Sequence, residues 1–184
     1  MITSLLTAAG LGIGAGINAY ATLLVYGLLA RWTHMSGELP QFFSSTPVLI
    51  VLGALYCVEF IADKIPAVDH VWDVIHTFIR PVAGAVVAWA SVSDKIPHGA
   101  VIMAAAIAGG VALGAHVAKA TIRGASTVTT AGIANPILSL FEDVFAFATA
   151  IIAIVLPWLV IAVIAAVTFF FVTLWRRLRV PNLS

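Results

Sequence analysis

Residues 99–122 read GAVIMAAAIAGGVALGAHVAKATI, and Lys119 is the only Lys, Arg, Asp or Glu among them. About 20 consecutive apolar residues are enough to cross the hydrocarbon core of a bilayer as an α-helix. Segments of similar composition precede and follow this one along most of the chain. The sequence therefore predicts an all-α protein built from membrane-spanning helices.

The composition of the whole chain supports this class. Of its 184 residues, 62% are hydrophobic and 9% are charged, whereas soluble domains average about 25% charged residues. Lys and Arg outnumber Asp and Glu by one residue and form no long basic run, so nucleic-acid binding is not expected. The single cysteine, Cys57, excludes a disulfide framework and a Cys-based metal site. Residues 1–184 are interpreted as one integral membrane domain.

The hydrophobic segments predict a polytopic bundle of about six transmembrane helices. Their ranges are 5–30, 47–62, 69–93, 99–122, 136–156 and 159–174. We expect the third helix to be kinked near Pro81. No hydrophilic loop separates the last two helices, so only Pro157-Trp158 marks a turn between them.

Two longer loops are predicted at 31–45 and 124–135, the first with Trp32, Phe42 and Phe43 as anchors at the membrane interface. The second is rich in Ser, Thr and Gly and is expected to be flexible. With six helices both termini lie on one side of the membrane, which also carries most of the Lys and Arg residues, including the basic tail 176–184. Because loops rich in Lys and Arg stay in the cytoplasm, both termini are predicted to be cytoplasmic.

A faint internal similarity relates residues 10–23 to 109–122, where Ala-Tyr-Ala-Thr lies over Ala-Lys-Ala-Thr behind glycine-rich segments. Two halves of three helices, 1–97 and 98–175, would insert with opposite orientation, and such 3+3 inverted repeats are typical of transporters. Alanine and glycine also match easily by chance.

One observation argues against a simple inverted repeat. Glu59 and Glu142 are both predicted near the cytoplasmic side, whereas exact inverted symmetry would place counterparts on opposite sides. Either the two glutamates are not counterparts, or one half contains a broken helix.

Ionisable residues inside the predicted helices are the candidates for function, because a charge in hydrocarbon is costly unless it is paired or hydrated. The candidate ion- or solute-binding residues are Asn18, Glu59, Asp63, His116, Glu142 and Asp143. The candidate counter-charge or gating residues are Lys64, Asp69, Asp73, His76, Arg80, Lys119 and Arg123. Together they predict a polar vestibule open toward the cytoplasm.

Two other interpretations of these residues remain open. The charges can neutralise one another as structural pairs, with Lys64 or Arg80 on Glu59 and with Lys119 or Arg123 on Glu142 or Asp143. Asn18 and His116 can serve only as hydrogen bonds between helices. If the glycine-rich segments unwind instead, their carbonyl groups could coordinate a cation or a polar solute.

The segment 69–76 holds Asp69, His70, Asp73 and His76, which are residue types that bind metals. They form no closed ligand set, so the sequence leaves a metal site undetermined and predicts no cofactor. A proton relay through His and carboxylate groups is the alternative use of this segment.

Three segments carry a resemblance to a known family: GINAYATLL (16–24), EFIADKIPAVDHVWD (59–73) and HTFIRPVAG (76–84). They resemble the bacterial membrane proteins grouped as domain of unknown function 4126. The resemblance covers nearly the whole chain and implies a small multi-pass protein of a bacterial inner membrane. Residues 59–64 are also loosely similar to the Glu-x-Gly-Asp-Lys motif of a cation/proton exchanger family, but Glu59 and Asp63 are four residues apart instead of three, and Ala62 replaces the Gly.

The first functional hypothesis is a transporter or channel for an ion or small polar solute. One form of this hypothesis couples the transport to protons. The second is a non-transporting protein that binds lipid head groups or a partner subunit through Lys119, Arg123 and the tail. An intramembrane enzyme would need a nucleophile such as Ser139 beside a base, and we predict that the protein is not an enzyme. The expected partners are the bilayer and the solute, and small-residue faces permit a homo-oligomer without requiring one.

Overall fold

The computed structural model describes residues 1–35 and 37–179, and it leaves out the side chains of residues 66, 67, 69 and 70 and of six residues between 171 and 179. The prediction of an all-α protein is confirmed, since these residues contain helices and no strand. The helices are α1 (Ile2–Ile17), α2 (Ala19–Trp32), α3 (Glu38–Ser44), α4 (Thr46–Ala62), α5 (Pro66–Val92), α6 (His98–Thr130), α7 (Asn135–Val155) and α8 (Leu159–Arg179).

The predicted first span, 5–30, is not one helix. The chain breaks at Asn18, whose backbone is extended at φ −146° and ψ 105°, and α2 begins at the next residue. A β-carbon built on Gly14 would lie 2.8 Å from the Thr22 hydroxyl oxygen. Residues eight apart in a continuous helix would be about 12 Å apart along its axis, so the chain bends sharply at Asn18.

The expected six spans are also too many for the part of the chain that the structure describes. Three stretches are long and apolar enough to cross a membrane, namely Val71–Val92, His98–Thr130 and Asn135–Val155. A fourth is counted if α3 and α4, which meet at 62°, form one bent span. These helices are compatible with a multi-pass membrane protein. Since three or four spans are counted, the number does not decide whether both termini lie on one side, and their cytoplasmic location stays a prediction.

The predicted loops are shorter than expected. Helix α3 lies within the predicted loop 31–45, and Phe43 packs against Tyr26 in the core instead of anchoring the interface. Helix α6 continues to Thr130, so only the turn at 131–134 remains of the predicted flexible loop, with Ala131 and Gly132 at positive φ. The turn at Pro157-Trp158 is confirmed between α7 and α8.

Helix α1 is the centre of the bundle, packed against α5, α6 and α7. Its sequence carries no charge, and all its buried positions except Leu11 and Ile13 are Gly, Ala, Ser or Thr, so neighbouring backbones can approach it closely. Large apolar side chains such as Phe78, Phe141 and Ile50 are exposed on the outside. Small residues thus lie at many helix contacts and many large apolar ones face the surroundings, as expected in lipid.

The two segments of the faint repeat have different local structures. The chain breaks at Asn18, whereas the aligned position, Val117, lies within the uninterrupted helix α6. The first half therefore contains a broken helix, which was one of the two stated alternatives, and the inverted repeat itself stays a hypothesis.

Gly16→Ala is expected to lower the free energy of unfolding by about 2 kcal/mol, the usual scale for overpacking. A β-carbon on Gly16 would lie 2.7 Å from the Ala115 β-carbon and closer still to the Ala112 carbonyl oxygen, which is backbone. Helices α1 and α6 would have to separate. The measurement is equilibrium unfolding by sodium dodecyl sulfate in mixed micelles.

Gly110→Ala on α6 is the matched control, because nothing lies within 4 Å of a β-carbon at that position. We expect it to be neutral or stabilising by less than about 1 kcal/mol through helix propensity. Equal losses in the two variants would contradict the close packing of α1 on α6.

Candidate functional site

Buried charged side chains gather around the break at Asn18, where the end of α4, the first half of α5, the second half of α6 and the start of α7 meet. The residues buried there are Asn18, Glu59, Asp63, Asp73, His76, Arg80, His116, Lys119, Arg123 and Asp143. Glu142 and Lys64 border them and are partly exposed. We call these twelve residues the charged cluster.

Arg80 is the hub of one side of the cluster, and its side chain is fully buried. One guanidinium nitrogen donates to Glu59 Oε1 at 2.9 Å. The other lies 2.6 Å from His116 Nδ1 and 3.3 Å from the Gly16 carbonyl oxygen, with Asp73 Oδ1 at 3.8 Å. One cation thus joins α1, α4 and α6 to α5.

The contacts of His116 determine its tautomer. Because Arg80 can only donate, Nδ1 of His116 accepts, and the ring proton lies on Nε2. Nε2 then donates to the Thr77 hydroxyl at 3.0 Å, and Thr77 donates to the Asp73 carbonyl oxygen at 2.9 Å. His116 is therefore held as a neutral ring between a cation and a hydroxyl group.

The other side of the cluster is centred on Asp63. Its Oδ2 accepts from Lys119 at 2.9 Å and from Arg123 at 3.1 Å. Arg123 also binds the Glu142 carboxylate through Nε at 2.9 Å and through a second, shorter contact from a terminal nitrogen. Lys119 lies 3.5 Å from the same carboxylate. Burial alone would raise the pKa of Asp63, but Lys119 and Arg123 hold it below its ordinary value.

Two cations of the cluster end at the carboxyl terminus of α1. Arg80 donates to the Gly16 carbonyl oxygen, and Lys119 donates to the Ile17 carbonyl oxygen at 3.1 Å. The last carbonyls of a helix have no intrahelical donor and carry partial negative charge. The break at Asn18 thus exposes backbone acceptors inside the bundle, and cationic side chains satisfy them.

Asn18 connects the break to α7. Its side-chain oxygen accepts from the Ala21 amide at 2.9 Å and caps α2. Its side-chain nitrogen donates to Asp143 Oδ1 at 2.9 Å. Asp143 is therefore paired with an amide and not with Lys119 or Arg123, the partners that the sequence suggested.

Lys64 lies at the edge of the cluster, just beyond α4. Its ammonium group donates to the Phe60 carbonyl oxygen at 2.9 Å, contacts Ser139 at 3.4 Å and lies over the Phe60 ring. Burial lowers its pKa, while Asp143 and Asp63 oppose that change. Of the two alternative partners for Glu59, Lys64 and Arg80, the structure shows Arg80.

The structure brings together all the predicted site residues whose side chains it describes. Asp69 lies outside the described side chains, as does His70. Sequence reasoning missed the bond of Thr77 to His116 and the backbone carbonyls of Gly16 and Ile17. Only the glycine-rich segment hinted at exposed carbonyls, and that segment stays helical up to Ile17.

Among the described side chains no group of three His, Cys, Asp or Glu residues is arranged to hold a metal ion. Lys119 and Arg123, proposed as ligands of lipid head groups, are both buried against acids. Of the basic tail, Arg176 is described and is exposed.

Comparison with known proteins identifies a family. The chain matches the family described as Domain of unknown function (DUF4126) over residues 5–177. It belongs to that family. No curated protein and no solved structure matches the chain.

Proposed function

We propose that this DUF4126 protein is a small membrane transporter or channel for an ion, and that the charged cluster is its binding site. The observation that carries the proposal is the cost of the cluster itself. Taking each ion out of water costs several kcal/mol, and well-packed apolar residues of similar volume often give equal or greater stability. Ionisable groups within membrane helices are therefore candidates for ion pathways.

The charge balance favours a cation as the transported species. Among the described side chains of the cluster, five carboxylates (Glu59, Asp63, Asp73, Glu142, Asp143) face four cationic groups (Lys64, Arg80, Lys119, Arg123). With neutral histidines one negative charge is left over, and a bound cation or proton would balance it. The most exposed carboxylates, Asp73 at 12% and Glu142 at 16%, give the cluster contact with its surroundings.

The broken helix supports the same proposal. In several transporter folds, substrate and coupling-ion sites are formed by discontinuous helices near the middle of the membrane. Here the interrupted α1–α2 segment contributes the Asn18 side chain and two carbonyl groups to the cluster. A small change at Asn18 would alter the positions of Arg80, Lys119 and Asp143 together.

The experiment is a flux assay with purified protein in lipid vesicles that contain a pH-sensitive dye. Inward gradients of Na⁺, K⁺ and H⁺ are applied one at a time. We expect flux of a cation above that of empty vesicles, and at least a tenfold loss in Glu59→Gln and in Glu142→Gln, about 1.4 kcal/mol or more. Folding is checked by gel filtration and helical circular dichroism.

Glu38→Gln is the control, because Glu38 is an exposed carboxylate at the start of α3, remote from the cluster in the chain. It should conduct like the native protein. Absence of flux for all three cations, with lipid retained through purification, would instead favour a protein that binds lipid or a partner without transport. Variants that are folded and conduct normally would make the two glutamates structural.

A further inference from the structure

His76 presents an unpartnered nitrogen inside the charged cluster. Its Nδ1 lies 2.8 Å from the Trp72 carbonyl oxygen, which can only accept, so the neutral ring carries its proton on Nδ1. Nε2 therefore holds a lone pair, and it has no hydrogen-bond partner among the described residues. Trp72 and Tyr20 pack on the ring, at 5.1 Å and 5.5 Å between centroids, and fix its orientation.

The atom that faces this lone pair is another acceptor. Glu59 Oε1 lies 3.9 Å from His76 Nε2, and Glu59 is fully buried. Oε1 already accepts from Arg80, while Oε2 has no hydrogen-bond partner in the described part of the chain. The pair therefore contains two unsatisfied buried acceptors, His76 Nε2 and Glu59 Oε2, and an unsatisfied buried acceptor destabilises the fold. A single added proton would turn one of these groups into a donor to the other once the side chains close the 3.9 Å that separates Nε2 from the carboxylate.

Groups from several helices set the charge around this pair. Arg80 and Asp73 face it from α5, with Asp63 just beyond α4. Lys119 and the neutral ring of His116 face it from α6, and the Tyr20 ring contacts His76 from α2. The nearest permanent charge is Arg80, which binds Glu59 Oε1 and leaves Oε2 without a partner among the described residues.

We propose that His76 and Glu59 together bind one exchangeable proton, shared between His76 Nε2 and the Glu59 carboxylate. This assignment of H⁺ as the coupling ion rests on the proposed function. The proton adds to one lone pair and no other bond is made or broken. On Nε2 it forms an imidazolium beside a carboxylate, and on Glu59 it forms a neutral acid that donates to Nε2.

The position of the proton changes the pairing of Arg80. Neutral Glu59 is a weaker partner for a guanidinium group than a carboxylate is. Arg80 then keeps His116 Nδ1 and the Gly16 carbonyl oxygen as its acceptors, with the Asp73 carboxylate 3.8 Å away. Protonation of the pair therefore acts on the broken end of α1 through Arg80.

The test is nuclear magnetic resonance of protein with ¹⁵N-labelled histidine in lipid nanodiscs, titrated with acid. Side-chain ¹⁵N shifts distinguish the two neutral tautomers from the imidazolium. We expect His76 to carry its proton on Nδ1 at high pH, opposite to His116, and to gain a proton at Nε2 on acidification. In Glu59→Gln the midpoint of that step should move by at least about one unit toward lower pH, a tenfold weaker proton affinity.

Two further variants keep the test decisive. Glu59→Asp retains a carboxylate for Arg80 but shortens the side chain by one methylene group. We expect the midpoint of the His76 titration to move in the same direction as in Glu59→Gln, by a smaller amount. This variant provides the test if Glu59→Gln does not fold. Glu38→Gln should leave His76 unchanged, and the exposed His34 is the internal reference.

The inference is overturned if His76 carries its proton on Nε2 at high pH. It is also overturned if the midpoint is the same in the native protein and both Glu59 variants. Since this measurement needs no flux, its failure is separate from failure of the proposed function. Vesicles that carry no cation, together with a Glu59-dependent titration, would refute transport and leave the proton site in place.

Discussion

Asp63→Asn is expected to lower the free energy of unfolding by about 3–5 kcal/mol, the usual cost of removing one member of a buried ion pair. The Asp63 carboxylate is almost completely buried and accepts from both Lys119 and Arg123. An amide of the same shape removes the negative charge that these two cations share, and Glu142, which also binds Arg123, is 16% exposed. The measurement is unfolding by sodium dodecyl sulfate in mixed micelles at neutral pH.

The double variant Asp63→Asn/Lys119→Met separates charge from packing. It removes one negative and one positive group together, so it should be more stable than Asp63→Asn alone, with a coupling energy of about 1–3 kcal/mol. Glu38→Gln, an exposed carboxylate, should change stability by less than about 0.5 kcal/mol. If Asp63→Asn behaves like Glu38→Gln, the two ion pairs of Asp63 contribute nothing to folding.

The sequence could predict which groups would be paired, because ionisable residues in apolar segments need partners. The Arg80–Glu59 and Arg123–Glu142 pairs were among the stated alternatives, and both are present. The partners of Asp63 could not be predicted in this way. Asp63 lies just beyond α4, and its cations come from α6, 56 and 60 residues away in the chain. Only the packing of the helices decides which acid takes which base.

The described part of the chain has three or four candidate spans where six were predicted, for a physical reason that hydropathy cannot detect. Helix α1 is as apolar as a membrane span, but it is 16 residues long and lies among α5, α6 and α7. Apolar composition is common to helices buried in protein and helices buried in lipid. Asn18 caps α2 locally, but its other hydrogen bond is to Asp143, 125 residues away, which no local pattern contains.

The same break explains why Arg80 is central to both stability and the proposed function. A continuous helix through residue 18 would bond its own carbonyls and offer none to Arg80 or Lys119. Because the helix stops at Ile17, the two cations serve as donors to its last turn and as counter-charges to Glu59 and Asp63 at once. Changes in the protonation of a carboxylate are thereby transmitted to the backbone at the break.

Arg80→Met is expected to have the largest effect of any single substitution considered. It leaves Glu59 as an unpaired buried charge, at about 3–5 kcal/mol, and removes the donor of the Gly16 carbonyl oxygen, at about 1–3 kcal/mol. Since whole domains are stable by only about 5–15 kcal/mol, much of the variant should be unfolded. The yield of monodisperse protein in detergent and the unfolding curve of whatever is folded measure this effect.

Arg80→Lys and a rescue variant identify which contacts are responsible. A lysine keeps the charge for Glu59, but its compact ammonium group cannot reproduce the planar fork that reaches Glu59, His116 and Gly16 together, so an intermediate loss is expected. Arg80→Met/Glu59→Gln removes the unpaired charge and should be more stable than Arg80→Met. We expect this gain to exceed the loss that Arg80→Lys shows relative to the native protein. Lys95→Met, at an exposed position, is the matched control and should be neutral. If Arg80→Met is as stable as Lys95→Met, the cluster is hydrated enough to leave Glu59 without a partner, and the linkage from Glu59 to the broken helix through Arg80 is refuted.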